Sequence, residues 1–236
     1  MVRTPKAATE VREERAELKG LGANVKNRMK TRAPNLNPGT DIDTGPDTSP
    51  APRRAIFLDR DGVINRPLIR DGKPFPPVSV DEFEILPGVS EACEALKRLG
   101  FLLVVATNQP DVGRGTLVRE EVETVHRWLS QQLPIDCWKV CFHGGAAFGD
   151  PCDCRKPQPG MLLKAAEALK IDLAKSFMIG DRWRDVDCGF NAGCQTIFID
   201  WGYEEELTRD PDFRARDLLG AARLIERLEH QKDART

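Results

Sequence analysis

Residues 53–62 read RRAIFLDRDG. An apolar run stops abruptly at Asp59, and Asp61 follows two residues later. A run this short, apolar at successive positions, is the pattern of a strand buried on both faces of a parallel sheet. Four further runs share it: LLVVAT at 102–107, WKVCF at 138–142, SFMIGD at 176–181 and TIFID at 196–200. Helical spacing fills the gaps at 89–99, 120–132, 160–169 and about 185–192, and a last amphipathic stretch covers 215–228. Strands alternating with helices predict an α/β fold built on a doubly wound parallel sheet. Ligands of such sheets bind outside the carboxyl ends of the strands. The polar residues with chemistry to offer stand where the apolar runs stop: Asp59 and Asp61, Thr107 and Asn108, Gly180 and Asp181.

The chain around this core has 236 residues, 31% of them charged, and a formal net charge of -2. That balance argues against bulk electrostatic binding of nucleic acid. No apolar run approaches the roughly 18 residues that a membrane helix needs. The first twenty residues lack the apolar centre of a secretory signal, so the expected compartment is the cytoplasm. Composition changes near residue 54. Residues 1–54 hold no Phe, Trp, Tyr or Cys, and 6 of the 17 prolines. They carry 11 basic and 7 acidic residues, so the tail is positive and the remainder negative. Such a stretch buries too little apolar area to offset its ordering entropy. The expected organisation is therefore a disordered extension and linker over 1–54 and one domain over 55–236. Within the extension, 6–30 has weak helical spacing and 33–52 reads as linker.

Two carboxylates two residues apart at a strand end can face one cavity. One, ionised, can attack phosphorus, while its neighbour passes a proton to the leaving oxygen. Gly62 lets the chain turn straight after them. Taken alone, such a pair is an ordinary strand-to-loop turn. Thr107 and Asn108 add groups that can hold phosphate oxygens. Lys156, in RKPQPG, adds a fixed positive charge where phosphoryl charge spreads. Asp181 and Asp185 add hard oxygen donors of the kind Mg²⁺ takes. Asp59, Asp61 and Asp181 in one water-poor cleft would repel one another, and a divalent cation resolves that repulsion.

A second cluster is Cys141-x-His143 followed, after eight residues, by Cys152-x-Cys154. Three thiolates and one imidazole make a closed tetrahedral zinc site. The intervening GGAAFGDP has little to pack, so a metal clip would order it. Without an export signal, the seven cysteines read as reduced. Cys93, Cys137, Cys188 and Cys194 lie in apolar or helical contexts and read as core thiols.

Taken in order, DxDGV, TN, K and GDxxxD resemble the motifs of the haloacid dehalogenase-like (HAD) phosphohydrolases, over about residues 55–203. The C-x-H…C-x-CRKP loop resembles that of their zinc-bearing subgroup, which acts on sugar phosphates and histidinol phosphate and lacks a large cap domain. The resemblance implies a Mg²⁺-dependent phosphomonoesterase. Asp59 would be the nucleophile that forms an aspartyl-phosphate, Asp61 the general acid and base, and Lys156 the residue that steadies both partners. Thr107 and Asn108 would hold phosphoryl oxygens. Mg²⁺ would sit on Asp59, the Asp61 carbonyl and Asp181, with Asp185 behind them. Zn²⁺ would be structural, on Cys141, His143, Cys152 and Cys154. Arg155, Arg114 and Arg182 are candidates for a second substrate phosphate, because Arg grips phosphate bidentately. The substrate implied is a phosphorylated sugar, foremost the 7-phosphate of a heptose 1,7-bisphosphate used in lipopolysaccharide-precursor synthesis. Histidinol phosphate or another small metabolite is the alternative. The expected partner is that metabolite, without nucleic acid or membrane, for a monomer or small oligomer. Two other classes fit the residues less well. A zinc-clipped binding module would lack a nucleophile, and Asp59 is present. A DNA 3′-end phosphatase wants a basic groove, and residues 55–236 are acidic. The sequence departs from the subgroup in Pro110-Asp111-Val112 after TNQ, in a proline-rich stretch at 67–77, and in Arg182 where a lysine is usual.

Overall fold

The computed structural model describes residues 52–70, 73–77 and 79–233. The expected extension over 1–54 lies almost wholly outside them. Six strands form one parallel sheet: β1 (Arg54–Leu58), β4 (Phe101–Asn108), β5 (Cys137–Cys141), β6 (Phe177–Gly180), β7 (Gln195–Ile199) and β8 (Phe213–Ala215), in the order β5-β4-β1-β6-β7-β8. Among the described residues six α-helices accompany the sheet: α1 (Val89–Arg98), α2 (Pro110–Gly113), α3 (Arg119–Gln132), α4 (Gly160–Leu169), α5 (Trp183–Ala192) and α6 (Leu218–Asp233). This is the doubly wound α/β arrangement that the sequence predicts.

Strand β1 lies at the centre, and its alternation divides the core. Ile56 and Leu58 face a cluster that includes Val89, Leu96, Leu129, Ala221 and Ile225, from α1, α3 and α6. Ala55 and Phe57 face the other side, with Met161, Leu162, Cys188 and Ala192 from α4 and α5. Each of these β1 side chains is fully buried. Burying a large apolar side chain contributes about 1.5–3 kcal/mol. The apolar run before Asp59 is therefore the seam where both halves of the core meet.

Register brings the strand ends level. Leu58 pairs with Val105 and Ile179, and Asn108 with Cys141. The Asp59 amide donates to the Ile179 carbonyl at 2.9 Å, and the Gln109 amide to the Cys141 carbonyl at 2.8 Å. The five main strands and five of the helices match the expected segments, with ends moved by a few residues. Helix α5 starts at Trp183, before Asp185, and α6 runs over 218–233 instead of 215–228. The proline-rich stretch at 67–77 contains an antiparallel hairpin of β2 (Leu68–Arg70) and β3 (Lys73–Phe75). Cys93, Cys188 and Cys194 are buried, but Cys137 is only half-buried, because it opens the edge strand β5.

One polar contact at the base of the sheet ties β1 to β6. The fully buried Ser176 hydroxyl accepts from the Ala55 amide at 3.0 Å and donates to the Asp172 carbonyl at 2.6 Å. Ser176→Ala leaves that buried amide without its acceptor. The expected cost is about 1–3 kcal/mol, read as a lower urea midpoint at unchanged slope. A midpoint equal to wild type would show that the hydroxyl is dispensable.

Candidate active site

The carboxyl ends of β1, β4 and β6 bring three acids and one lysine together. Lys156 Nζ lies 2.8 Å from Asp59 Oδ1 and 2.6 Å from Asp185 Oδ1. Its side chain is 2% exposed. The Arg60 amide donates to Asp59 Oδ1 at 2.7 Å. Asp185 Oδ2 accepts from the Arg182 amide at 3.0 Å, so Asp185 caps α5 and pairs with the lysine at once. Asp59, Asp181 and Asp185 offer oxygens within 4.8 Å of one another.

Asp181 is reached through glycines. Gly62 has φ +88, and a Cβ there would stand 2.0 Å from Asp181 Oδ2. A Cβ on Gly180 would fall 2.1 Å from the Asp185 Cβ. Both glycines are needed for this close approach, beyond any turn they make. The loop after β7 adds a brace, as Trp201 Nε1 donates to the Gly62 carbonyl at 2.7 Å.

One ammonium does not balance three carboxylates. Burial pushes the Asp59 carboxyl up to about 6, with Asp185 and Asp61 adding to the rise and Lys156 opposing it. Burial, Asp59 and Asp185 push Asp181 well above the usual carboxylate range. Burial disfavours the charge on Lys156, but Asp185 and Asp59 outweigh it and raise the ammonium's affinity for its proton. Asp181 Oδ1 is buried and has no hydrogen-bond partner. An orphaned carboxylate oxygen beside surplus negative charge fits a hard divalent cation.

Asp61 stands apart from this cluster. Its Oδ1 accepts from Arg60 Nε at 3.2 Å, Arg60 Nη2 at 3.0 Å and Asn65 Nδ2 at 3.0 Å. Its Oδ2 accepts from Gln109 Nε2 at 3.0 Å, and the same amide reaches Thr107 Oγ1 at 3.0 Å. Asn108 uses both ends of its side chain on the Lys156 main chain, at 3.0 and 3.1 Å. Its amide therefore clamps the lysine's loop onto β4.

The thiol cluster assembles as the spacing suggests. Cys141 Sγ lies 3.6 Å from Cys152 Sγ, and His143 Nδ1 lies 3.5 Å from Cys141 Sγ and 3.2 Å from Cys154 Sγ. Zinc–ligand bonds of about 2.3 Å to sulfur and 2.0–2.1 Å to nitrogen imply tetrahedral edges of about 3.5–3.8 Å. The donor set fits zinc, and Nδ1 is the nitrogen that faces the sulfurs. Burial pushes the Cys141 and Cys154 thiols up, so a metal must supply the charge that favours thiolates.

The three arginines differ in placement. Arg155 packs its Nε within 3.4 Å of the position a Cβ on Gly145 would take, against the loop that carries the thiols. Arg114 lies 3.4 Å from Asp111 Oδ1 and over the Phe148 ring at 4.8 Å. Arg182 is held by Glu205 at 2.5 and 3.2 Å, and that ion pair outweighs burial to raise its affinity for its proton. Beside Asp181 a cavity of about 270 Å³ is lined by Trp183, Asp200, Tyr203, Glu205 and Arg214. The roles of Arg60, Asn65, Gln109 and Trp201 escape the sequence reading. Asn65 and Gln109 sit inside the quoted motifs, and Arg60 is a cation flanked by acids after an apolar run. Trp201 gives no local signal.

Known proteins resemble this chain in sequence and in fold. The HAD-hydrolase-like family model matches residues 153–221. A protein of Escherichia coli (strain K12) named D-glycero-beta-D-manno-heptose-1,7-bisphosphate 7-phosphatase is 40% identical over 151 residues, covering 60% of this chain and 76% of the relative. A protein of the same name from Pasteurella multocida (strain Pm70) is 35% identical over 176 residues, covering 71% and 91%. The crystal structure of a D,D-heptose 1,7-bisphosphate phosphatase from B. bronchiseptica, complexed with magnesium and phosphate, superposes with a TM-score of 0.64 at 30% identity. It covers 74% of this chain and 98% of that one. The chain belongs to the HAD-like hydrolase family. It is a phosphoric monoester hydrolase. Among the described residues no helix is long and apolar enough to cross a membrane.

The surplus charge has a measurable sign. Without metal, the folded Asp59 keeps its proton up to about pH 6, while the unfolded group loses it near the ordinary 3.8. The folded state then binds more protons, so stability falls as pH rises through that window, and Asp181 extends the fall upward. Asp181→Asn removes one of the repelling charges. In EDTA at pH 7 it should melt above wild type, by about 2–4 °C for each kcal/mol relieved. The gap should shrink towards pH 4, where wild type is protonated. A gap that persists unchanged at pH 4 would show another origin.

Proposed function

We propose that this chain is a Mg²⁺-dependent sugar phosphatase with a structural zinc loop, and that it hydrolyses the 7-phosphate of D-glycero-D-manno-heptose 1,7-bisphosphate in the cytoplasm. The observation that carries the reading is the buried Asp59–Lys156–Asp185 cluster with Asp61 held two residues beyond its first acid. Lys156 and the Arg60 amide both engage Asp59 Oδ1 and hold the nucleophile in place. An Asp59 oxygen attacks phosphorus as the bond from phosphorus to the sugar oxygen breaks. Asp61 gives that oxygen a proton. Water then attacks the aspartyl-phosphate, its proton passes to Asp61, and breaking the acyl–phosphate bond returns Asp59 and releases phosphate. Asp59, the Asp61 carbonyl and Asp181 would hold Mg²⁺, which supplies charge stabilisation to the phosphoryl oxygens. Asp185 acts behind them through Lys156.

Thr107 and Asn108 border the phosphoryl position. Asn108 contributes by holding the Lys156 loop, since both ends of its amide are engaged there. Arg155 and Arg114, on and beside the thiol loop, are assigned to the second phosphate. Arg182 reaches a phosphate only by giving up Glu205, so its part is to secure the loop beside Asp181. Cys141, His143, Cys152 and Cys154 would hold Zn²⁺ and give that loop its shape. The names of the relatives favour the heptose substrate over histidinol phosphate.

Phosphate release from heptose 1,7-bisphosphate and from histidinol phosphate, side by side with Mg²⁺, tests the substrate. The bisphosphate should be preferred by at least about 1.4 kcal/mol in kcat/KM, a factor of ten. Preference for histidinol phosphate would overturn the heptose assignment and keep the chemistry. Asp59→Asn should lose turnover with both esters while melting as a folded protein; substantial residual release would move the nucleophile elsewhere.

Zinc has its own readout. Cys152→Ser should lower bound zinc measured by elemental analysis and reduce activity through the loop. Equal zinc content and equal rates would make the cluster a packing feature.

A further inference from the structure

Arg60 has the largest fully buried side chain among the described residues, at 1% exposure. A buried guanidinium is costly unless its donors are paired. Here Nε and Nη2 both fall on Asp61 Oδ1, and Nη1 lies 3.2 Å from His126 Nε2. The guanidinium carbon stands 5.8 Å from the centre of the Phe83 ring. Since a guanidinium only donates, His126 Nε2 must accept, which places the imidazole proton on Nδ1. Burial and the charge of Arg60 push His126 down to about 3, so it stays neutral and keeps that lone pair.

His126 is fixed in its turn. Its ring stacks on Trp138 at 4.2 Å with 16° between planes. Trp138 Nε1 donates to Ser130 Oγ at 2.9 Å, and Ser130 Oγ donates to the His126 carbonyl at 2.9 Å. Helix α3 and edge strand β5 thus wall Arg60 from behind.

The two oxygens of Asp61 are unequal as a result. Oδ1 receives three N–H groups, two from Arg60 and one from Asn65. A carboxylate oxygen has about two lone-pair sites, so Oδ1 has no capacity left for a proton. Oδ2 receives Gln109 alone among these bonds.

We propose that Arg60, backed by His126, is a positioning residue that pins Asp61 Oδ1 and so makes Oδ2 the oxygen that carries the proton to and from the reacting ester. The inference rests on the acid–base role proposed for Asp61. In the first half-reaction the Oδ2 proton moves to the leaving sugar oxygen as the P–O bond breaks and the Asp59–phosphorus bond forms. In the second, the proton lost by the attacking water returns to Oδ2. The fork of the guanidinium explains the choice of residue. A lysine at position 60 would present one point charge, whereas the fork reaches Asp61 and His126 together.

The test uses leaving groups. An alkoxide needs a proton to depart, and p-nitrophenolate does not. The full chain with Mg²⁺ is assayed on p-nitrophenyl phosphate and on whichever of heptose 1,7-bisphosphate and histidinol phosphate the wild type turns over faster. Arg60→Met should lower kcat/KM for the alkyl ester by at least about tenfold, a part of the 10²–10⁴ that a positioned acid supplies, and change p-nitrophenyl phosphate by less than about twofold. His126→Phe keeps an aromatic ring against Trp138 and removes the Nε2 acceptor together with the Nδ1 donor, and it should show the same selectivity at smaller size. It decides the matter if Arg60→Met does not fold. Equal losses on both esters, or no loss on either, in the folded variants would overturn the inference. Asp61→Asn separates the two levels. If it is selective while the Arg60 and His126 variants are not, the positioning role alone fails. If it harms both esters equally in kcat/KM, which reports the first half-reaction alone, the acid role of Asp61 fails, and the inference fails with it.

Discussion

Three carboxylates around one ammonium set the terms for everything near the strand ends. Asp59, Asp181 and Asp185 lie within 4.8 Å of one another, and Lys156 reaches two of them. In a medium of low polarity such crowding is tolerable only with more positive charge or with protons held above their usual range. The fold also constrains the approach. Gly62 and Gly180 lack the Cβ atoms that would occupy the space of Asp181 and Asp185. The Asn108 clamp and the Asp185 cap hold the lysine and the third acid in position. What a phosphoryl group and a divalent cation would meet is therefore in place before either arrives, and that preorganisation is where such sites gain most of their catalytic effect.

The surroundings divide the labour between two faces. The thiol loop lies on one side, joined to the site through β4 and β5, where the Gln109 amide meets the Cys141 carbonyl. The segment GGAAFGDP between the paired donors is turned by the Gly144 amide donating to Asp150 Oδ2, and Arg155 and Arg114 are arranged against it. On the other side, the loop after β7 is tied down by Arg182 to Glu205, by Thr208 and Arg209 to Asp187, and by Trp201 to Gly62. Among the described residues there is no large cap domain, and these two loops border the strand ends.

Most of the sheet is legible in the chain itself, and the reason is burial. The five main strands lie against helices on one or both faces and read as apolar runs. β8 is a three-residue edge strand of half-exposed and exposed positions, and it leaves no such run. The β2–β3 hairpin carries Pro74 and no apolar alternation, and α2 spans only four residues, too few for a helical period. The helix boundaries moved for a related cause. Asp185 looks like a helix start, yet it sits one turn in, where its carboxylate reaches back to the Arg182 amide.

The sequence by itself determined the chemical inventory and its order: acids after the first run, Thr107 and Asn108 after the second, a lysine, then Asp181 and Asp185, with three thiols and an imidazole between. Those are local patterns, because a buried strand and the turn that ends it are written in adjacent residues. Only the tertiary structure decided how each atom is used. It turned the Asn108 amide to the Lys156 main chain, chose Nδ1 of His143, and gave Arg182 to Glu205. It also loaded three donors onto one oxygen of Asp61. Each of these choices joins side chains from segments far apart in the chain, or sets a side-chain direction, and packing between distant elements fixes both.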